Sequence, residues 1–345
     1  MIIQGQDINA SKEVFVIAEI GNNHQGDLEI CKQMIKAAKD AGASAVKLQK
    51  RDNKALFTKS FYDQPYESPN AFAETYGKHR EALELSDDDF VEAFKYAKEL
   101  DIIFFASPWD VRSADFLHEL GVKLFKIASA DITNTPLLRH VAKFNLPMII
   151  STGGATIERV QEAVRDVRQH NDNISLLQCT AAYPALDEQL NVSVVQTYKE
   201  LFPELTIGYS GHDVGTLVPI VAVAQGAKII EKHFTLDHTL KGTDHAVSLE
   251  PQELTQMITD LKRTVAVLGD GKKTVYEEEK RALKKLGKKL VASHDLPKGH
   301  VLREEDMAVK SPGDGEPPYK IDNFVGKSLI EALAADEDIA SSNLR

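Results

Sequence analysis

The chain has 345 residues, and its hydrophobic content of 43% and charged content of 27% are typical of soluble globular proteins. This length fits a large domain with a small appendage better than it fits one average domain. The net charge of −11 disfavours nucleic acid as a partner, because no basic surplus displaces counterions from phosphates, and no apolar run reaches the roughly twenty residues that cross a bilayer.

The amino terminus and the cysteines bear on the cellular compartment. Residues 1–10 are polar and lack the basic-then-apolar pattern of a signal peptide. The two cysteines, Cys31 and Cys179, are too few for a disulfide framework. We therefore expect a cytoplasmic protein with reduced thiols.

Eight short apolar runs, each ending in a polar or ionisable cluster, predict β-strands at residues 14–18, 43–46, 102–106, 124–128, 148–150, 174–177, 206–209 and 227–230. Helical spacing of apolar residues predicts helices between and after them, at residues 28–41, 86–100, 112–120, 135–144, 156–170, 192–201, 215–226 and 253–268. Eight βα units within about 250 residues predict a (β/α)8 TIM barrel, α/β in class. In that fold the chemistry lies where the strands end.

One connection is unusually long, with 36 residues between Gln49 and Ser86. Loops of this length in compact domains are usually lids or binding loops, so the connection predicts a cover over the substrate, with a plain surface excursion as the alternative. His79 and Arg80 on this connection either meet an anion or are simply solvated.

The pattern changes after the barrel. Residues 271–288 are highly charged and predict a linker, helical or not. From residue 289 to 345, short β-like runs with Pro/Gly turns predict a second, small domain, which leaves residues 1–270 to the barrel. So short a domain buries a limited core, and we expect it to pack on the barrel or on a neighbouring subunit.

His212 and His233 follow the last two predicted strands. Adjacent barrel strands would bring the two rings together as a two-imidazole metal site with open positions for substrate and water. Satisfied structural histidines are the alternative. His24, after the first strand, adds a further polar group to the same rim.

A second set of rim residues suits an anion: Lys47, Lys126, Ser129, Ser151 and Ser210. Lysines inside a barrel are costly unless they are paired or meet an anion, and hydroxyls add hydrogen-bond donors. The alternative is a lysine that forms a Schiff base, as in barrel aldolases.

Glu19 and Asp244 are the acidic candidates at the rim. Asp244 follows Gly242 in a turn that keeps the backbone near a ligand. Each carboxylate could hydrogen-bond sugar hydroxyls or move protons, or could pair with the rim lysines.

Five motifs resemble the sialic acid synthase family: AEIGNNHQGD at 18–27, VKLQ at 46–49, QCTAAYP at 178–184, YSGH at 209–212 and EKHFTLD at 231–237. They are long, ordered and correctly spaced. The tail from Lys289 resembles the antifreeze-like (SAF) domain that follows the barrel in that family.

The resemblance implies condensation of phosphoenolpyruvate with N-acetylmannosamine or its 6-phosphate. The product would be N-acetylneuraminate or its 9-phosphate, with release of inorganic phosphate. It implies a divalent metal, commonly Mn²⁺ with Mg²⁺ or Co²⁺ as alternatives, held by His212 and His233. It also implies a homodimer in which the SAF domain reaches over the partner barrel, with small-molecule substrates and no membrane partner.

The resemblance assigns the remaining site residues by matching motif. Catalysis would fall to Glu19, Asp244 and the two imidazoles. Substrate would be bound by Lys47, Lys126, Ser129, Asp131, Ser151, Tyr183 and Ser210.

Two departures leave the acceptor open. Ala181 and Ser311 stand where many bacterial members have asparagine and arginine, respectively. Basic residues around the long connection could instead bind the phosphate of a phosphorylated sugar: Lys50, Arg51, Lys59, Lys78 and Arg80. Alternatives are a synthase for a related nonulosonic acid (legionaminate, pseudaminate or KDN type), an arabinose 5-phosphate acceptor, a metal-free aldolase, or a non-catalytic protein that binds sugar or ice.

Overall fold

Eight parallel strands close into a barrel in the computed structural model, which describes residues 1–345. In chain order they are β1 Phe15–Gly21, β2 Ala45–Lys50, β3 Ile103–Pro108, β4 Phe125–Ile127, β5 Met148–Ser151, β6 Ile174–Cys179, β7 Thr206–Gly211 and β8 Ile229–His233. Each strand pairs with the next in sequence, and β8 closes on β1. The predicted TIM barrel is confirmed.

Side-chain alternation divides the core of the barrel in two. Residues such as Ile17, Phe105 and Ile229 form a small apolar cluster that fills the barrel interior. The intervening residues point outward and pack against the helices in a much larger cluster. Because strand side chains alternate, the position two residues beyond each interior residue faces the same space, one step nearer the mouth.

Eight helices surround the strands: α1 Leu28–Asp40, α2 Asp87–Glu99, α3 Val111–Leu120, α4 Thr135–Ala142, α5 Ile157–Arg168, α6 Val194–Leu201, α7 Leu217–Ala224 and α8 Pro251–Leu268. Their starts follow from capping residues. Asp27 accepts hydrogen bonds from the first turn of α1, Ser86 caps α2, and Asp110 caps α3. A short antiparallel pair, Ile2–Ile3 and Gln6–Asp7, precedes the barrel.

The long connection after β2 is folded. It contains the helices Asn53–Leu56, Lys59–Tyr62 and Tyr76–Ala82 and an aromatic cluster. His79 lies buried within it, its ring centroid 4.6 Å from that of Tyr66, and its Nδ1 accepts a hydrogen bond from the backbone of Phe72. The expectation that His79 is solvated is wrong, because the ring packs among aromatic side chains.

Residues 270–345 form a separate compact unit. It begins with α9 Glu277–Leu286, none of whose side chains is buried. The strands β9 Lys289–Ala292 and β10 Met307–Lys310 then pair in antiparallel fashion. A small core includes Leu290, Leu302 and Phe324. None of the helices in either unit combines the length and apolar character needed to cross a membrane.

The remaining helical segments are short, with three to six residues each. Asp187–Leu190 is α-helical, and the 3₁₀ turns are Ser129–Asp131, His245–Val247, Glu304–Asp306, Pro318–Asn323 and Ser341–Asn343. Ser129–Asp131 directly follows β4 and His245–Val247 lies between β8 and α8, so both belong to the end of the barrel where the strands finish.

Candidate active site

A cavity of about 220 Å³ opens where the strands finish. Nine of the residues expected at the site line it: Glu19, Lys47, Lys126, Ser129, Ser151, Tyr183, Ser210, His212 and His233. The strand register explains this convergence. Glu19 lies opposite both Lys47 on β2 and His233 on β8, and residues two hundred positions apart in sequence therefore become neighbours.

Glu231 is the centre of the charges at the base of the cavity. Its Oε1 lies 3.7 Å from Nζ of Lys47 and 3.4 Å from Nζ of Lys126, and it accepts a hydrogen bond of 3.0 Å from Ser210. All three charged side chains are buried. One carboxylate is therefore shared between two ammonium groups.

The two lysines differ in electrostatic environment. Burial alone would lower the pKa of Lys47, but Glu19 and Glu231 together raise it above its ordinary value. The pKa of Lys126 stays below its ordinary value, because burial outweighs the attraction of Glu231. The pKa of Glu231 is lowered in spite of burial, chiefly by Lys126 and then by Lys47. Lys126 is thus a cation that an incoming anion would stabilise.

Glu19 is held in place by two neighbours on β2. Its Oε2 pairs with Nζ of Lys47 at 2.8 Å, and its Oε1 accepts a hydrogen bond of 3.0 Å from Gln49. Glu19 therefore forms the ion pair with a rim lysine that was one of the two expectations for it. The pairing holds the carboxylate at the cavity wall, where it can accept a proton or a hydroxyl hydrogen bond.

The hydroxyl groups leave capacity for a ligand. Oγ of Ser129 accepts a hydrogen bond from the backbone of Gly153 at 2.9 Å and keeps its own proton free to donate. Oγ of Ser151 and Nε1 of Trp109 are both buried and have no hydrogen-bond partner. Buried polar groups without a partner are costly, so these donors indicate a site completed by a polar ligand.

The two imidazoles lie together above the charged base, with ring centroids 5.4 Å apart. Nδ1 of His212 lies 2.8 Å from the carbonyl oxygen of Thr180, to which it donates. This bond directs the lone pair to Nε2. The pKa of His212 is lowered to about 4 by burial and then by the charge of His233, so the ring is neutral at pH 7 and able to bind a cation.

These residues fit a divalent cation held by two imidazoles. Metal–nitrogen bonds of about 2.1 Å would place two ring centroids about 5 Å apart around one ion, close to the separation found here. Nδ1 of His233 is buried without a hydrogen-bond partner. No cluster of three histidine, cysteine or acidic side chains is arranged to hold a metal, so the remaining positions would fall to substrate and water.

A buried network lies behind the imidazoles, on the outer side of the last two strands. Tyr209 donates a hydrogen bond of 2.8 Å to Oδ1 of Asp213, and Nζ of Lys232 lies 3.2 Å from Oδ2 of the same carboxylate. Lys232 faces away from the cavity because it alternates with Glu231 and His233. The network fixes the backbone on either side of His212.

Two expected residues, Asp244 and Asp131, lie outside the lining of the cavity, whereas Tyr183 is part of it. Tyr183 lines the cavity and lies over His212, with ring centroids 3.9 Å apart. Asp244 is not among the lining residues, although its Oδ2 lies 3.9 Å from Nδ1 of His233. Asp131 is also outside the lining; it is buried, accepts a hydrogen bond from Asn134, and has its pKa raised by burial.

Sequence analysis missed Glu231 as a site residue, together with Gln49, Ser107 and the thiol of Cys179, all of which line the cavity. Strand alternation could have found Glu231, since it lies two residues after the interior Ile229 and two before His233. Two of the basic residues near the long connection, Lys50 and Arg51, have carboxylate partners. Lys50, for example, pairs with Asp87 at 2.6 Å.

A TIM barrel with buried lysines at the base of its cavity and paired imidazoles at its mouth fits the class of barrel synthases, and comparisons with known proteins agree. The sequence matches the NeuB family over residues 34–273 and the SAF domain over residues 289–345. The chain belongs to the NeuB family, the sialic acid synthase family that its motifs resemble. It is therefore an enzyme, a transferase of the phosphoenolpyruvate-condensing class.

Named relatives are similar over nearly their whole length. Human N-acetylneuraminate-9-phosphate synthase is 40% identical, over 97% of this chain and 94% of that protein. The N,N'-diacetyllegionaminic acid synthase of Legionella pneumophila is 39% identical, over 94% and 93%. Among solved structures, N-acetylneuraminic acid synthetase from Leptospira borgpetersenii has a TM-score of 0.70 and 36% identity, covering 78% of this chain and 90% of that one.

Proposed function

We propose that this enzyme condenses phosphoenolpyruvate with N-acetylmannosamine or its 6-phosphate, giving N-acetylneuraminate or its 9-phosphate and inorganic phosphate, with a divalent metal. The observation that carries the proposal is the pair of buried ammonium groups beneath two neighbouring imidazoles. Phosphoenolpyruvate is a small, multiply charged anion, and it needs such cations and oriented donors. The relatives named above support the same chemistry.

The base of the cavity would hold phosphoenolpyruvate. Lys47 and Lys126 would bind its phosphate and carboxylate, with Ser129, Ser151 and Ser210 donating hydrogen bonds. Lys126 shares the negative charge of Glu231 with Lys47. A negative ligand beside Lys126 supplies a further counter-charge and therefore raises the pKa of that lysine. Binding therefore keeps both lysines charged, and their positions fix the enol carbon toward the mouth.

The reaction joins the enol carbon to the aldehyde carbon of the open-chain sugar. Positive character develops at carbon two, water adds there, and phosphate leaves by carbon–oxygen cleavage. A divalent cation at His212 and His233 would supply Lewis-acid polarisation of the aldehyde oxygen. Glu19, paired with Lys47, would take a proton from water or from a sugar hydroxyl, while Tyr183 and Asp244 would face the sugar.

An assay of phosphate release from phosphoenolpyruvate, with Mn²⁺ and a panel of sugars, tests the proposal. We expect release with N-acetylmannosamine or its 6-phosphate and a nine-carbon 2-keto acid by mass spectrometry. Chelation should stop turnover and Mn²⁺ should restore it. The proposal fails if no sugar on the panel consumes phosphoenolpyruvate, or if borohydride traps pyruvate on Lys126.

A related nonulosonic acid is the second candidate product. Relatives named N,N'-diacetyllegionaminic acid synthase are 38–39% identical to this chain, almost as similar as those named for the sialic acid 9-phosphate. The chemistry at the base of the cavity would be the same and only the acceptor would differ. A diacetamido sugar on the panel distinguishes the two.

We also propose a cytoplasmic homodimer in which the SAF domain covers the partner barrel. The second unit has a small core, and α9 and its approach expose apolar side chains, among them Tyr276, Leu283 and Leu286. The two buried thiols are unpaired, which suits a reducing compartment. Light scattering of the full chain and of residues 1–270 tests the assembly.

A further inference from the structure

Two guanidinium groups meet on one neutral oxygen beside the mouth of the barrel. Oδ1 of Asn22, directly after β1, accepts hydrogen bonds from Arg51 at 2.9 Å and from Arg80 at 3.0 Å. An amide oxygen has no net charge, so it satisfies the donors without neutralising two like charges. Repulsion from Arg80, after burial, contributes to a pKa of Arg51 lowered to about 10.

Only one of these arginines has an acidic partner. Arg51 is buried, pairs with Glu84 at 2.9 Å and stacks on Trp109 at 4.4 Å. Arg80 is half-buried and forms no ion pair with any carboxylate. A cation that is partly removed from water and has no counter-charge is unfavourable in the free protein and would be relieved by an anionic ligand.

Arg80 lies where three loops at the mouth join. Asn23 donates to the carbonyl oxygen of Phe234 and to Ser248, which ties the loop after β1 to the loop after β8. Asn22 donates to the carbonyl oxygen of Leu83 at the end of the long connection.

A second cation without an acidic partner lies on the same junction. Nζ of Lys241 is 4.8 Å above the ring of Phe72 and donates to the carbonyl oxygen of Ala71. The buried His79 connects the two: its ring centroid lies 5.9 Å from that of Phe72, over which Lys241 lies, and it directly precedes Arg80 on the helix Tyr76–Ala82. The two cations therefore flank one stretch of the mouth, separate from the lysines at the base.

We propose that Arg80, held by Asn22 and assisted by Lys241, binds the terminal phosphate of the sugar acceptor and makes this enzyme select a phosphorylated sugar. The planar guanidinium matches a phosphate with two parallel hydrogen bonds, and the flexible ammonium adds a point charge. The inference rests on the proposed function and adds to it the chemical class of the acceptor. The base binds one phosphate group and the junction of loops binds the other.

The test compares wild type, Arg80→Gln, Arg80→Lys and Arg165→Gln. Calorimetry with Mn²⁺ and no phosphoenolpyruvate gives the Kd for N-acetylmannosamine 6-phosphate and for N-acetylmannosamine; kinetics give the kcat/KM ratio for the two sugars. Arg165 is the matched control, because it is an exposed arginine in the last turn of α5 and forms no ion pair.

We expect wild type and Arg165→Gln to prefer the phosphorylated sugar by ~10- to 100-fold, the range of charge-assisted hydrogen bonds. Arg80→Gln should lose most of this ratio and Arg80→Lys part of it. Equal binding of the two sugars by wild type, binding of neither, or an unchanged ratio in Arg80→Gln overturns the inference. A thermal melt identifies a misfolded variant, in which case the Arg80→Lys ratio decides. Failure of the proposed function differs, since it appears as no phosphate release with either sugar.

Discussion

Replacing Glu231 by glutamine removes the only carboxylate that contacts both buried lysines at the base of the barrel. The substitution keeps the size of the side chain and an oxygen for Ser210, so charge is the main change. At 3.4 Å, the Glu231–Lys126 attraction is about 5 kcal/mol in an effective dielectric of about 20, before desolvation is counted. Removing one partner of a buried pair costs about 3–5 kcal/mol in practice.

We expect Glu231→Gln to lower the Tm of the barrel by roughly 6–20 °C at pH 7, at about 2–4 °C per kcal/mol. The sign follows from linkage. The pKa of Glu231 is lowered in the folded protein, so its contribution is present above the unfolded value near 4.5 and is lost only at lower pH. Trp109 is the single tryptophan and lines the cavity, so its fluorescence reports barrel unfolding.

A kinetic signature accompanies the change in stability. Without Glu231, burial acts almost unopposed on Lys126, whose pKa already lies below its ordinary value. The lysine would then lose its proton at lower pH in the free variant than in the wild type, so the rise in the KM for phosphoenolpyruvate should begin at lower pH in the variant. The stability deficit should shrink as the pH rises through this range, because the unfolded chain then binds more protons than the folded variant.

Glu92→Gln is the control, since it makes the same substitution in an exposed ion pair, 2.7 Å from Lys95, where a loss of under about 1 kcal/mol is expected. Two results together would refute this prediction: a Tm of Glu231→Gln equal to that of Glu92→Gln, and a pH profile of the KM for phosphoenolpyruvate equal to that of the wild type.

Three further predictions follow from other parts of the barrel. His212→Ala should abolish Mn²⁺ binding by calorimetry and turnover at saturating Mn²⁺, whereas His170→Ala, on an exposed turn, should not; near-normal activity of His212→Ala would remove the metal assignment. Asp213→Asn should cost about 3–5 kcal/mol by leaving Lys232 buried without a counter-charge, and adding Lys232→Met should recover part of the lost Tm; additive losses would contradict the pairing. Burial lowers the pKa of His79 to about 4, so the residues around it should exchange amide hydrogens faster, after correction for intrinsic rates, as the pH falls from 7 to 5. The variant His79→Phe should lose this pH effect. Persistence of the effect in that variant would contradict the assignment.

The barrel was predictable because each strand carries an apolar run, and alternate residues of that run fill the two cores. The ends of the strands were less predictable. The eighth run stops at Ile230, yet strand pairing continues to His233, and the first stops at Ala18 while β1 continues to Gly21. The inward residues beyond the runs are polar because they line the cavity. Hydrophobicity therefore falls before the hydrogen-bonded strand ends.

The same effect explains which site residues were found. Lysine and histidine are unusual at strand ends and were selected by residue type, which identified Lys47, Lys126 and His233. Glu231 precedes Lys232, and only the two-residue period of the strand shows that the glutamate faces the cavity and the lysine does not. The packing of His79 depends on aromatic residues of a loop without regular periodicity, so no spacing in the sequence indicated it.

The charges at the base of the cavity have a consequence for the order and cooperativity of ligand binding. Lys47 and Lys126 are balanced by Glu19 and Glu231, so the interior is close to neutral before any ligand enters. A multiply charged anion alone leaves an excess of negative charge, and a divalent cation alone leaves an excess of positive charge. Each ligand therefore compensates the other, and thermodynamic reciprocity requires that each raise the affinity of the other by the same factor.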